Sequence, residues 1–359
     1  MTHAEQTTAR APSAPRGRPI DDDMHDSAAE LSAAGRLPPL RAALEEIDDE
    51  LVDAFDHLDR RAIRNQRLHR RITLLTAVTG SAALLASALD VALARAGGAG
   101  GAAGESLDRL ETALVLVTGA LVALGVMQTW LLHWLLDRFK AEQLRLLKFA
   151  MLVDPRLWSD GAGDRAAWQD ELQRRRNAIL LLGRSDLARC AEQEAVPTLP
   201  EPSDCAGLDA AAMDALLDYY RRKRLDAQMR YFERARAHAG HWYDGPRLVQ
   251  AVFFGSVLCV GLRLVVEDPA LDAALFAASA GLPAVWAGWR TWRSANEFQR
   301  NAARSLARQS ALRSVLAHVD RRRSATAPTL LSYLLFAETM LEADQREWLR
   351  LMRDAEWYG

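Results

Sequence analysis

The 359-residue chain is 50% hydrophobic and 26% charged, with a formal net charge of -2 and a mean hydropathy of -0.13. Such averages describe an ordinary soluble protein of about two domains, and near-neutral charge argues against a chain built to bind nucleic acid, local basic patches aside. Cys190, Cys205 and Cys259 are odd in number and form neither a CxxC pair nor a zinc spacing, which fits a reducing compartment without a disulfide framework.

The averages mislead, because apolar and charged residues are segregated along the chain. The opening stretch, MTHAEQTTARAPSAPRGRPIDDDMHD, has no apolar region of the signal-peptide kind, and its Ala, Pro, Arg and Asp bias predicts a disordered leader over 1–37. From there Leu40, Leu44, Ile47, Leu51, Phe55, Leu58 and Ala62 recur at steps of three and four, the pattern of an amphipathic helix. That helix runs into the first of four apolar segments, at about 72–94, 112–136, 248–266 and 270–289. A bilayer core of about 30 Å needs roughly 20 apolar residues rising 1.5 Å each. The first segment, with Asp90 near its end, and the second, with Gln128 and His133 as its strongly polar residues, meet that length. The third carries Gln250 and Arg263, the fourth Asp272 and Pro283, and either would also suit a buried core helix.

Charge separates a membrane protein from a soluble helical bundle here. Arg60, Arg61, Arg64, Arg67, Arg70 and Arg71 precede the first segment; Arg138, Lys140, Arg145 and Lys148 follow the second. Arg230, Arg234, Arg236 and Arg247 precede the third, and Arg290, Arg293, Arg300, Arg304 and Arg308 follow the fourth. The connections ARAGGAGGAAGESLDRLE and EDPALD are short and poor in cations. Cationic flanks held on the cytoplasmic side predict four spans in two hairpins, with both termini in the cytoplasm. The fold expected is therefore an all-α integral membrane protein with long amphipathic cytosolic helices.

The turn-rich stretches DPRLWSDGAGD (154–164) and VPTLPEPSDCAG (196–207) interrupt the helical patterns, and no strand-like alternation is long enough to make a sheet. The second break divides the chain into units at 38–198 and 207–359, joined by a linker at 199–206. Each unit holds a basic amphipathic helix, an apolar hairpin, a continuing helix and a terminal helix.

On these features the chain resembles two copies of the SLATT family, the SMODS- and SLOG-associating two-transmembrane effector domains of bacterial conflict systems. The first copy rests on DRRAIRNQRLHRRITLL and WLLDRFKAEQLRLLKFA; the second on YYRRKRLDAQMRYFERARAHAGHWYDGPRLVQ, WRTWRSANEFQRNAARSLARQ and ETMLEADQREWLRLM. The resemblance covers nearly everything from residue 38 on. It implies a non-enzymatic effector of an anti-phage, abortive-infection system that assembles as a homo-oligomeric pore or channel in the bacterial inner membrane. A nucleotide or oligonucleotide second messenger from a partner nucleotidyltransferase would control it. Sequence-specific nucleic-acid binding is not expected.

Individual motifs point the same way. GGAGGAAG at 97–104 lacks the GK[ST] ending of a phosphate loop and reads as a hairpin linker. His238 and His241 stand three apart with Asp244 nearby, but beside Trp242 and Tyr243 they read as an interfacial pair, so neither a metal nor a catalytic grouping is expected. The many carboxylates read as solvated faces and intrahelical pairs. Polar residues inside the spans are the candidate pore lining: Thr118, Gln128, His133 and Arg263. For Arg263 the plainer alternative is snorkelling outward or pairing with Glu267 or Asp272. Small residues at Gly80, Gly119, Gly255, Gly281 and Gly288 suit close helix packing. Arg64, Arg67, Arg71, Arg234 and Arg236 are read first as anchors at the lipid surface and second as a site for a phosphate-bearing ligand. Two rival readings stay open: a non-conducting membrane scaffold or sensor that binds a protein partner, and a small transporter.

Overall fold

The computed structural model describes residues 23–34, 37–95, 102–127, 130–193, 208–241, 245–295, 298–321 and 326–353. Every regular element among them is helical. In chain order these are α1 (Ala28–Ala34), α2 (Pro38–Leu93), α3 (Ala102–Met127), α4 (Trp130–Leu152), a 3-10 turn (Pro155–Trp158), α5 (Ala162–Leu181) and α6 (Arg184–Glu192). After them come α7 (Ala210–Tyr220), a π turn (Arg221–Leu225), α8 (Asp226–His241), α9 (Gly245–Arg263), α10 (Pro269–Ala295), α11 (Phe298–Arg321) and α12 (Ala327–Arg353).

Helix α2 sets the frame. Its 56 residues extend about 84 Å at 1.5 Å per residue. Two prolines open it at its first helical positions, where no N–H is needed, and no proline interrupts it further on. One half carries the amphipathic stripe from Leu40 to Ala62, all of it buried; the other is apolar around its circumference. Helices α3 and α4 run back antiparallel along it, with a register that holds from end to end: a Cβ on Gly104 would stand 3.9 Å from Asp90, Thr118 bonds Thr79, Arg138 bonds Asp59 and Lys148 bonds Asp48. Helix α10 packs antiparallel on another face of α2 and against α9.

Three helices are long and apolar enough to cross a membrane: α2, the run beginning at Gly104 in α3, and α10. None of the apolar window in the second of these is buried within the protein. Leu116 is 68% exposed, Met127 77% and Phe254 65%, large apolar side chains left open on α3 and α9. The third apolar segment, expected over 248–266, forms a shorter helix that closes at Arg263, because turns at 264 and 265 lead straight to Pro269.

Below the apolar helices lies a core to which both halves of the chain contribute. Leu44, Ile47 and Leu51 of α2 join one cluster with Phe149 of α4, Trp168 of α5, Leu216 and Tyr220 of α7, Leu312 of α11 and Leu334 of α12. The leader, expected to be disordered to residue 37, is folded from Asp23 on: Met24 is fully buried, and Ser27 and Glu30 cap α1 reciprocally, the Ser27 N–H donating to the Glu30 carboxylate and the Glu30 N–H to Ser27 Oγ. A bias toward Pro and Arg lies mostly before residue 20, whereas the segment that folds is acidic and finds cations waiting for it.

Candidate functional site

Charged side chains fill the middle of the helical core. On α4, Arg138, Glu142 and Arg145 recur at steps of four and three and therefore share a face, one turn before Lys148. Arg138 binds Asp59 at 2.9 Å and also Glu142. Arg145 donates through one terminal nitrogen to both Glu142 oxygens, at 2.8 and 2.9 Å. Burial alone would raise the Glu142 carboxyl, but Arg138, Arg145 and Arg224 outweigh it and hold the group below the usual carboxylate range. Glu142 is thus an anion in a nearly dry site.

The π turn supplies the facing cations. One extra residue per turn at Arg221–Leu225 rotates the helix so that Lys223, Arg224 and Leu225 all point inward. Arg224 is 2% exposed; its Nε and one terminal nitrogen donate to the two Glu338 oxygens at 2.9 and 2.7 Å, and its ring-stacked face lies 4.7 Å from the centre of Phe149. Desolvation works against its charge, and Glu338 more than offsets it, so the guanidinium stays firmly protonated. The Tyr220 hydroxyl also donates to Glu338, at 2.6 Å, and burial beside that carboxylate pushes the phenol well above its ordinary range.

Into this layer the leader inserts two carboxylates. Asp23 receives Arg224 at 3.2 Å and Gln228 at 3.0 Å, with Arg145 Nε 2.8 Å away. Asp26 receives Lys148 at 2.7 Å and the Tyr219 hydroxyl at 2.8 and 2.9 Å. Lys148, itself fully buried, donates further to the Met24 carbonyl and to Asp48; Lys223 donates to the His25 carbonyl and to Glu30. Burial raises Asp48, and Asp26 adds to that, with Lys148 opposing.

Arg138, Arg145 and Lys148 flank the second apolar segment, and Arg304 and Arg308 the fourth, and the structure directs these side chains at carboxylates of the protein: Arg304 and Arg308 both bind Asp344, which is 1% exposed, and Lys140 donates to the Leu180 carbonyl. The carboxylates Asp23, Asp26, Glu142, Glu338 and Asp344 are correspondingly buried, not solvated; Glu142 pairs within α4, as expected of the carboxylates, whereas the other four bind cations from elsewhere in the fold. The signal that could have found one of them is a lone acid inside an apolar run, Glu338 in LLSYLLFAETML, and for Glu142 it is the arginines four before and three after it on the same helix face. Asp23 and Asp26 carry no such signal, since their partners lie more than a hundred residues away.

Among the candidate pore residues, Thr118 donates to Thr79 Oγ1 and to the Leu114 carbonyl, both at 2.8 Å, and so faces α2 inside its hairpin. Arg263 pairs with Asp272 at 2.7 Å and lies over Phe276, the plainer of its two alternatives. His133 bonds Arg184 of α6, one residue before Trp134 enters a second buried cluster with Ala62, Leu187 and Leu349; the exposed apolar part of the second segment therefore ends near Leu132. Gln128 lies outside the described residues, as do most of the glycine linker and the side chains of Arg236, His238 and His241.

The small residues divide clearly. Gly281, Ala284 and Gly288 line α10 where it meets Ala77, Ser81 and Leu85 of α2: a Cβ on Gly281 would stand 2.6 Å from Leu85 Cδ2, and one on Gly288 would meet Ser81 and stand 2.9 Å from the Ala77 carbonyl. Ser81 uses that approach to donate to the Ala284 carbonyl at 3.0 Å. A Cβ on Gly255 would stand 3.3 Å from Leu282 and one on Gly80 3.6 Å from Thr118, while one on Gly119 would meet nothing within 4 Å. Arg64, Arg67 and Arg71 form an exposed stripe at steps of three and four that leads into exposed Leu74, Leu75 and Val78. Arg234 is exposed on α8 and donates to the Arg230 carbonyl.

Comparison with protein families, with curated proteins and with solved structures finds no match to this chain.

Proposed function

We propose that the chain is a multi-pass inner-membrane effector whose apolar helices form four spans, with both termini cytoplasmic, and assemble with further copies into a pore. Three long apolar helices and one shorter one rise from a single cytosolic helical core, and the observation that carries the reading is their outward-facing apolar surface, with an exposed arginine stripe at its lower edge on α2. Positive flanks and cation-poor outer loops support the orientation. Four helices enclose little space, so conduction requires several copies around an axis. The resemblance to SLATT domains supports the remainder: a non-enzymatic role in bacterial anti-phage defence and control by a nucleotide-type signal from a partner nucleotidyltransferase.

The test is ion or dye flux from proteoliposomes of the purified chain, with and without cyclic and linear nucleotides. Ligand-dependent flux supports the reading. Absence of flux under every ligand, or protease mapping that places residues 207–245 outside the cell, overturns it.

A second reading, a non-conducting membrane-anchored scaffold or sensor, is favoured by one observation. Thr118 and Arg263 both direct their polar groups at partners within their own hairpins. Substituting either residue without any change in conductance would strengthen it.

A further inference from the structure

We infer that the cleft the acidic leader fills between α4 and the π turn, once vacated, is a binding site for a phosphate-bearing small molecule, held in its resting form by that leader. Two subsites are built. One consists of Arg145, Arg224 and Gln228 around the Asp23 carboxylate; the other of Lys148, Tyr219 and Lys223 around that of Asp26. Arg224, Gln228, Lys148 and Tyr219 donate hydrogen bonds to the carboxylate they face, while Arg145 Nε at 2.8 Å and Lys223 Nζ at 3.5 Å add charge beside it. Guanidinium and ammonium donors with a phenol hydroxyl are the set that also satisfies phosphoryl oxygens.

The cleft does not need the leader in order to stay formed. Arg145 keeps Glu142, Arg224 keeps Glu338 and Lys148 keeps Asp48, all on helices packed in the main core. Four cations against those three carboxylates leave one positive charge in excess when the leader is out, so the empty cleft attracts an anion. The leader is held chiefly by charge: of the large apolar side chains over residues 23–34, Met24 is fully buried and Leu31 partly covered. A tethered competitor acts at an effective concentration on the order of millimolar, which masks the site's own affinity until a multiply charged ligand displaces it. Release would remove the carboxylate bridges between α4, which continues the apolar run from α3, and the π turn that leads through α8 to α9, leaving the Arg224–Phe149 contact to hold them together. The site stands on its own geometry; only the consequence of release rests on the pore reading.

The test uses the full chain in detergent with inorganic pyrophosphate as probe, and reads binding, not flux, so that its failure is distinct from failure of the pore. The D23N/D26N chain is expected to bind pyrophosphate at least about tenfold more tightly than the unmodified chain, because the competitor's charge is gone while its shape remains. Adding Lys223→Gln should weaken that binding. In the unmodified chain, millimolar pyrophosphate should speed hydrogen exchange of the amides over residues 24–34, and sodium chloride at matched ionic strength should not. No pyrophosphate binding by either chain, or exchange that responds equally to both salts, overturns the proposal. The exchange measurement decides the matter even if the double variant does not fold.

Discussion

Arg224 and Glu338 form a two-pronged bond, 2.9 and 2.7 Å long, between the π turn and α12, with 2% and 5% of their side chains exposed. A buried pair of this kind stabilises modestly as a pair but punishes its own disruption, since one partner removed leaves the other charged and dry. Glu338→Gln is therefore expected to cost about 3–5 kcal/mol. The double variant R224M/E338L should recover most of that loss, and thermal unfolding in detergent reads both. An additive double variant would mean that the bond does not couple these helices.

The contact between α2 and α10 depends on the missing side chain at position 288. Gly288→Leu must displace Ser81 and the Ala77 carbonyl, so a loss of about 1–3 kcal/mol is expected. Gly119→Leu, which points into open space, should stay within about 0.5 kcal/mol of the unmodified chain. Equal effects in the same unfolding measurement would contradict the packing described.

His69 stacks on Trp134 and is 5% exposed. Burial, with a smaller push from Arg70, lowers its pKa from 6.5 to about 4. The unfolded chain thus takes up a proton near pH 6.5 that the folded chain refuses until about pH 4, and stability drains away as pH falls through that window. The loss reaches about 3 kcal/mol once both pKa values are passed. His69→Gln should flatten this part of the profile, so the gap between its melting temperatures at pH 7.5 and pH 5 should be smaller than that of the unmodified chain.

The exposed stripe of Arg64, Arg67 and Arg71 and the buried cleft are separate groups of cations. Replacing all three stripe residues by Gln should shift stability by less than about 0.5 kcal/mol per site. It should also leave pyrophosphate binding by the D23N/D26N chain unchanged. Binding lost in that combined variant would move the anion site to the lipid surface.

By itself the amino-acid sequence determined the helical class, the apolar segments, the amphipathic stripe from Leu40 to Ala62 and the small residues of α10. These are periodic or compositional features, and each is written in residues near one another along the chain. Even Arg263 came with its partner, because Asp272 is nine residues away. What only the tertiary structure decided is where charge goes. A row of arginines after an apolar helix looks the same whether it meets lipid headgroups or buried carboxylates, and Arg145 and Lys148 face inward, where Glu142 and Asp48 meet them and Asp23 and Asp26, 122 residues before each, add a second carboxylate. Periodicity reports which side chains share a face. The choice between water, lipid and protein for that face belongs to the partner, and the partner is distant in sequence.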